Sequence, residues 1–265
     1  MFVTGSSSFD LANEIKEPLT GRKWEYSLFP ISWGELKDHY DFIKRAGLLE
    51  QRLIYGMYPE IVTSPGKEIK ILSTLSGSML YKDLLSIRGI RKPELLENLL
   101  RALALQIGHE VSFNELSSLL QVDKNTVITY VNLLEQAYII FRLPPLSRNL
   151  RNEISTSRKI YFYDTGIRNS LIANFNPINL RSDVGPLWEN FLISERIKSN
   201  HYNNHYLNTY FWRTHIRVYR GHLYCKPIWM STMMFLTQQQ WPVLYAQIQY
   251  IILGRKQWNR LCNGY

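Results

Sequence analysis

Apolar residues recur at helical spacing most clearly between positions 93 and 107, where Leu96, Leu99, Leu100, Leu103 and Ile107 fall on one face. Pro93 suits a first turn, whose N–H groups need no intrahelical acceptor, and Gly108 suits the left-handed residue that follows a last turn. A helix is therefore predicted over that span. Beyond Val111-Ser112-Phe113, the positions Leu116, Leu119 and Leu120 predict a short helix and Gln121-Val122-Asp123 a turn. Val127, Tyr130, Val131 and Leu134 then predict a helix from Lys124 to about Gln136, with Asp123 as its N-cap. Residues 138–143 read as a strand.

Upstream, residues 2–4 read as the end of a strand, residues 9–19 as a short helix, and residues 24–28 as a strand closed by Pro30. Ser32 and Glu35 have capping-box spacing, and Trp33, Leu36, Tyr40 and Ile43 recur at helical period behind them, which predicts one helix. Tyr55-Gly56-Met57-Tyr58-Pro59 and Ser64-Pro65-Gly66 punctuate a loop-rich connector. Downstream, residues 160–166 alternate like a strand ending in a turn, Gly185-Pro186 precedes a helix over 187–198, and residues 210–214 read as a strand. The central run of helix, tight turn, helix and strand resembles a winged helix-turn-helix.

Composition narrows the class. With 265 residues, 45% apolar and 20% charged, the chain has room for two or three small domains and does not have the composition of a disordered or collagen-like protein. Cys225 and Cys262 offer neither metal-ligand spacing nor a disulfide framework, and no run approaches the roughly 18 apolar residues of a membrane span, so a cytoplasmic protein without a membrane partner is expected. The net charge of +9 suggests nucleic acid until its position is considered. Six basic residues and no Asp or Glu lie after residue 215, which leaves only +3 for the rest. That tail also concentrates Trp, Met and Gln without periodicity, which predicts an aberrant, frame-shifted segment over 216–265.

Six stretches occur in a distinctive order: Thr4-Gly5-Ser6-Ser7, Leu19-Thr20-Gly21-Arg22, Leu28-Phe29-Pro30-Ile31-Ser32, Tyr161-Phe162-Tyr163-Asp164-Thr165-Gly166-Ile167-Arg168-Asn169, Trp188-Glu189-Asn190-Phe191 and Tyr210-Phe211-Trp212-Arg213-Thr214. Together they resemble a prokaryotic family of AAA-superfamily ATPases with a C-terminal domain of unknown function. The resemblance covers residues 2 to 214 and implies an α/β and α+β multidomain chain. Residues 1–66 would be the C-terminal remnant of the P-loop ATPase domain, 67–145 a winged-helix domain, and 146–215 an incomplete restriction-endonuclease-like domain. The nucleotide-binding loop is absent: Gly66-Lys67 is followed by Glu68, and Ile61 stands where its first Gly belongs. The acidic strand and the carboxylate-x-Lys strand of a nuclease are missing after His215. Full-length members of the family would use ATP and Mg; in this chain no cofactor and no metal are expected.

The candidate residues follow from these two sources. Thr4, Ser6 and Ser7 resemble a γ-phosphate sensor and Arg22 an arginine finger, whose guanidinium would stabilise transferred phosphoryl charge; a Gly-Ser turn and a surface arginine account for the same residues. Lys124, Asn125, Thr126, Thr129 and Asn132 are placed to read DNA from the second helix of the turn. Arg142, Arg148, Arg151, Arg158 and Lys159 would reach phosphates from its flank. A linker that packs on neighbouring modules is the competing reading, since Lys124 is the one basic residue in that helix. Glu189 and Asp164 resemble pieces of a nuclease-like site, while a Glu at a helix start also serves the helix dipole. His201 and His205 have i,i+4 spacing, but Asn203-Asn204 between them predicts a loop. The expected function is a truncated ATP-binding protein without ATPase or nuclease activity by itself, its partner a protein or a nucleic acid; the alternative is a non-enzymatic winged-helix DNA-binding protein.

Overall fold

Residues 26–79, 92–145, 158–205 and 208–211 are described by the computed structural model. The chain divides into two units, Met1–Thr209 and Tyr210–Tyr265, and the second contributes only residues 210 and 211 to the described set. The elements read over 2–4 and 9–19, the frame-shifted tail over 216–265, and most of the strand over 210–214 lie outside the described residues. The described part of the strand expected over 24–28 is irregular.

The capping box forms: Glu35 Oε2 accepts from the Ser32 amide at 2.7 Å and from its hydroxyl at 2.8 Å, and Ser32 Oγ accepts from the Glu35 amide at 3.2 Å. The helix it opens, α1 (Leu36–His39), is short, because Tyr40 adopts an extended backbone. Asp41 then caps a new helix, α2 (Phe42–Tyr55), by accepting from the Lys44 amide. The break rotates Ile43 out of the face shared by Trp33 and Leu36 and leaves it 83% exposed, so the single helix expected there is two. Helix α3 (Pro59–Thr63) and helix α4 (Glu68–Thr74) follow, α4 running on into a π-helical turn, Leu75–Met79.

The central segment follows its apolar pattern closely. Helix α5 (Pro93–Leu105) buries Leu96, Leu99, Leu100 and Leu103, Ile107 follows in the same core, and Gly108 takes the positive φ expected of it. Strand β1 (Glu110–Val111), helix α6 (Phe113–Leu120), helix α7 (Lys124–Gln136) and strand β2 (Ile140–Leu143) come next. Asp123 accepts from the Asn125 amide at 2.7 Å as the N-cap of α7. Strand β3 (Arg158–Phe162) completes an antiparallel sheet in the order β1-β3-β2, with Lys159 opposite Glu110 on one side and Leu143 on the other. Val111, Leu116, Val127, Val131, Leu134, Ile140, Ile160 and Phe162 join the α5 leucines in one core. The described fold is thus mixed α/β, mostly helical around a small antiparallel sheet.

Two elements differ from expectation downstream. The strand over 160–166 ends at Phe162, and the residues read as its closing turn start helix α8 (Thr165–Leu171), because Asp164 caps it. Helix α9 spans Val184–Tyr202, longer at both ends than the predicted 187–198, and follows a 3-10 turn, Ile178–Leu180. Helix α8 lies between two cores: Leu171 packs on the central one, and Ile167 packs with Ile61 and Leu72 of α3 and α4. Among the described residues no helix is long and apolar enough to cross a membrane.

Candidate functional site

The stretch Asp164-Thr165-Gly166-Ile167-Arg168-Asn169 is almost entirely buried although four of its six side chains are polar. Each finds a backbone partner. Asp164 accepts from the Ile167 amide at 3.0 Å and, through its other oxygen, from the Met57 amide at 2.6 Å. Thr165 Oγ1 donates to the Arg52 carbonyl, and Asn169 Nδ2 donates to the carbonyls of Leu53 and Ile54, so α8 satisfies the last turn of α2. The approach requires two glycines. A Cβ on Gly166 would lie 2.0 Å from the Tyr55 carbonyl oxygen, and one on Gly56, already at φ +78, would lie 2.1 Å from an Asp164 oxygen.

Charge is concentrated on the other side of α8. Arg168 Nε donates to the Ala104 carbonyl in the last turn of α5 at 2.8 Å, and its Nη1 pairs closely with Asp183. Arg181 meets the same carboxylate through two nitrogens, each at 2.8 Å, while Asn169 Oδ1 accepts from both guanidinium groups. Burial alone would push the Asp183 carboxyl up, but the hydrogen bonds and charges of Arg181 and Arg168 outweigh it and hold that carboxyl below the usual range. Asp164 goes the other way: burial pushes it up against the opposing Met57 and Ile167 amides and the charge of Lys198.

Helix α9 carries further polar contacts. Asn190 Oδ1 accepts from the Phe162 amide at 2.7 Å and its Nδ2 donates to the Phe162 carbonyl at 2.9 Å. Glu189 Oε1 accepts from Lys159 Nζ at 2.8 Å and from the Tyr161 hydroxyl at 2.5 Å. Burial, with Glu189 beside it, raises the Tyr161 phenol, which stays a proton donor. Glu195 and Lys198 form an ion pair that also binds backbone, Glu195 Oε2 accepting from the Trp33 amide and Lys198 Nζ donating to the Ile31 carbonyl.

A second surface lies on α7. Lys124, Asn125 and Thr129 are exposed and Thr126 half-buried, so the structure brings these four together on the first turns of that helix. Thr129 Oγ1 donates to the Asn125 carbonyl. Arg142 is drawn elsewhere: its Nη2 donates to Asn132 Oδ1 at 2.9 Å and pairs closely with Glu135, both nearer the far end of α7. Lys159 is engaged with Glu189, and burial lowers the Arg158 guanidinium, reinforced by Arg142 and opposed by Glu135.

The remaining expected residues fall apart or out of reach. Thr4, Ser6, Ser7, Arg22, Arg148 and Arg151 lie outside the described residues. Ile61, where a nucleotide-binding loop would have its first Gly, is fully buried in α3. His201 is in α9 and His205 beyond its end, past the turn at Asn203 and Asn204. Among the described residues no group of three or more His, Cys, Asp and Glu is arranged to hold a metal ion. The sequence reading missed Arg168, Arg181 and Asp183. Their only sequence signal is that polar and charged residues crowd 164–169 and 181–183 without a helical apolar period.

With this geometry in place, comparison adds kinship without chemistry. A family described as "Domain of unknown function (DUF8612)" matches residues 46–178, just over half of the chain. An uncharacterized protein of Methanocaldococcus jannaschii is 28% identical over 216 residues, covering 74% of this chain and 46% of its own length. An uncharacterized protein of Haemophilus influenzae is 25% identical over 182 residues, covering 64% of this chain and 45% of its own. The chain spans less than half the length of these curated relatives. No solved structure matches.

Proposed function

The chain belongs to the family described as Domain of unknown function (DUF8612), and on that premise we propose that it is the part of an AAA-superfamily-type protein that follows the nucleotide-binding loop: a non-catalytic scaffold built on a winged helix, followed by a nuclease-like segment without nuclease activity. The order α5, β1, α6, α7, β2, β3 with sheet order β1-β3-β2 supports the winged-helix reading, since the second helix after the turn stands where a recognition helix would. The non-catalytic reading rests on one observation. The two carboxylates that would do nuclease chemistry are already committed, Asp164 to two backbone amides and Glu189 to Lys159 and Tyr161. Calorimetric titration with Mg-ATP should give no micromolar binding, and plasmid DNA with Mg or Mn should remain uncut. Micromolar nucleotide binding or metal-dependent nicking removes the proposal.

A second reading, non-enzymatic DNA binding, is favoured by the exposed Lys124, Asn125 and Thr129 on α7. It predicts duplex binding that weakens steeply with salt, and Lys124→Ala should reduce the salt slope by about one. The pairing of Arg142 with Glu135 removes a phosphate contact from that surface and favours the packing role. Fluorescence anisotropy with a labelled duplex at two salt concentrations separates the readings.

A further inference from the structure

Residues 29–33 form an irregular segment, with a bend at Pro30 and a turn starting at Trp33, that lies against α9 between Phe191 and Tyr202, and the side chains from residue 26 onward are sharply sorted. Tyr26 and Leu28 are 87% and 94% exposed, whereas Phe29 is 9% exposed. The Phe29 ring is enclosed by rings from three parts of the fold: Tyr163 stacked at 5.4 Å, His201 and Tyr202 edge-on at 5.1 and 5.9 Å, and Tyr138 edge-on at 6.3 Å. Four residues on, Trp33 meets Phe191 of α9 edge-on at 6.0 Å. Between these two anchors the backbone is held by the Glu195–Lys198 ion pair: Lys198 Nζ donates to the Ile31 carbonyl at 3.2 Å and Glu195 Oε2 accepts from the Trp33 amide at 2.6 Å. The Ile31 amide donates to the Met57 carbonyl.

An ion pair that contacts one carbonyl and one amide two residues apart is indifferent to side-chain identity, while rings four residues apart are not. That division of labour, main chain for affinity and pockets for specificity, is one used by sites that receive peptide segments. We propose that α9 from Phe191 to Tyr202, with Tyr138 and Tyr163, is a peptide-receiving groove whose occupant is this chain's own segment Phe29–Trp33, held as a tethered ligand. Tethering raises the segment's effective concentration at the groove, so a modest intrinsic affinity keeps it filled. The occupant also reports to α7. Tyr138, which follows that helix at a positive φ, touches Phe29 and Tyr163, and the Tyr163 amide donates to the Ile139 carbonyl. Withdrawal of the segment therefore loosens the corner where α7 turns into β2.

Native-state hydrogen exchange on the full chain tests this. Phe29→Ala is expected to speed exchange of the Ile31, Trp33 and Tyr163 amides together by at least tenfold, with Leu99 and Leu103 of α5 unchanged. A synthetic peptide of residues 26–35 added to that variant should restore protection at Tyr163, and the same peptide carrying Ala at position 29 should not. If Phe29→Ala fails to fold, Phe29→Leu keeps an apolar branched side chain but loses the ring contacts and should show the same pattern at smaller amplitude. Unchanged exchange at Trp33 would mean that the anchors act separately. Failure of the peptide to restore Tyr163 would mean that the segment is ordinary packing. Either result overturns the proposal.

Discussion

The core around α5, α6 and α7 and the cluster around α8 join segments of the chain by opposite means. In the first, aliphatic side chains from three helices and a sheet exclude water, and no single residue is indispensable to the others. In the second, a seven-residue helix ties α2, α5 and the start of α9 together through hydrogen bonds and ion pairs whose members depend on one another. An apolar core loses contacts in proportion to the volume removed, whereas a buried polar network loses the partner and keeps the desolvated charge. The α8 cluster should therefore respond more abruptly to single changes.

The sharpest way to break that comparison is Asp183→Ala, which leaves the buried guanidinium groups of Arg168 and Arg181 facing each other without a carboxylate. Removing one partner of a buried ion pair costs about 3 to 5 kcal/mol. Urea unfolding of the variant should show a loss in that range; a loss below about 1 kcal/mol would show that the two arginines do not depend on the carboxylate. In the apolar core, Leu99→Ala and Leu134→Ala should each cost about 2 to 5 kcal/mol, and the two should add if the sites relax independently. Unchanged melting temperatures in both would contradict their burial.

The smallest and most specific effect is with pH. Asp183 is held below the ordinary carboxylate range, so its contribution is complete above about pH 4 and is lost as pH falls through its folded value. Asp164 has the opposite sign. Its folded value is raised, so its protonation favours the folded state as pH falls from that value toward about 4 and contributes no slope below it. Thermal melts should show a gain as pH falls toward about 4, followed by a decline below it. Asp183→Asn should lack the decline and keep the gain. A decline of equal size in that variant would assign the acid limb to other groups.

The two regions were also unequally legible. Leu96, Leu99, Leu100 and Leu103, then Val127, Val131 and Leu134, disclose their helices because burial against one core imposes a period on the sequence. The Ser32 and Asp123 caps were legible for a similar reason, since their partners lie within three residues. Helix α8 imposes no such period: it is buried on all sides, and its polar side chains bond to carbonyls and carboxylates 15 to 116 residues away. Only the Asp164 cap, with its Ile167 amide three residues on, is a local signal of the helix after β3, and the alternation over 160–166 reads instead as a strand ending in a turn. The break at Tyr40 escaped because Ile43 keeps the correct spacing while the backbone departs from it.

The amide of Asn190 carries a consequence for solubility. Among the described residues strand β3 pairs with β1 through Arg158 and Lys159 alone, so at Phe162 no described strand pairs with its side away from β2, where one donor and one acceptor point. Such an edge is a template for strands of other molecules. Asn190 occupies both groups with a single side-chain amide and ends the ladder there, in the way that a charged or bulged edge residue does elsewhere. The same contact that docks α9 on the sheet thereby keeps β3 from recruiting a neighbour, and a chain in which α9 detaches would present that edge for intermolecular pairing.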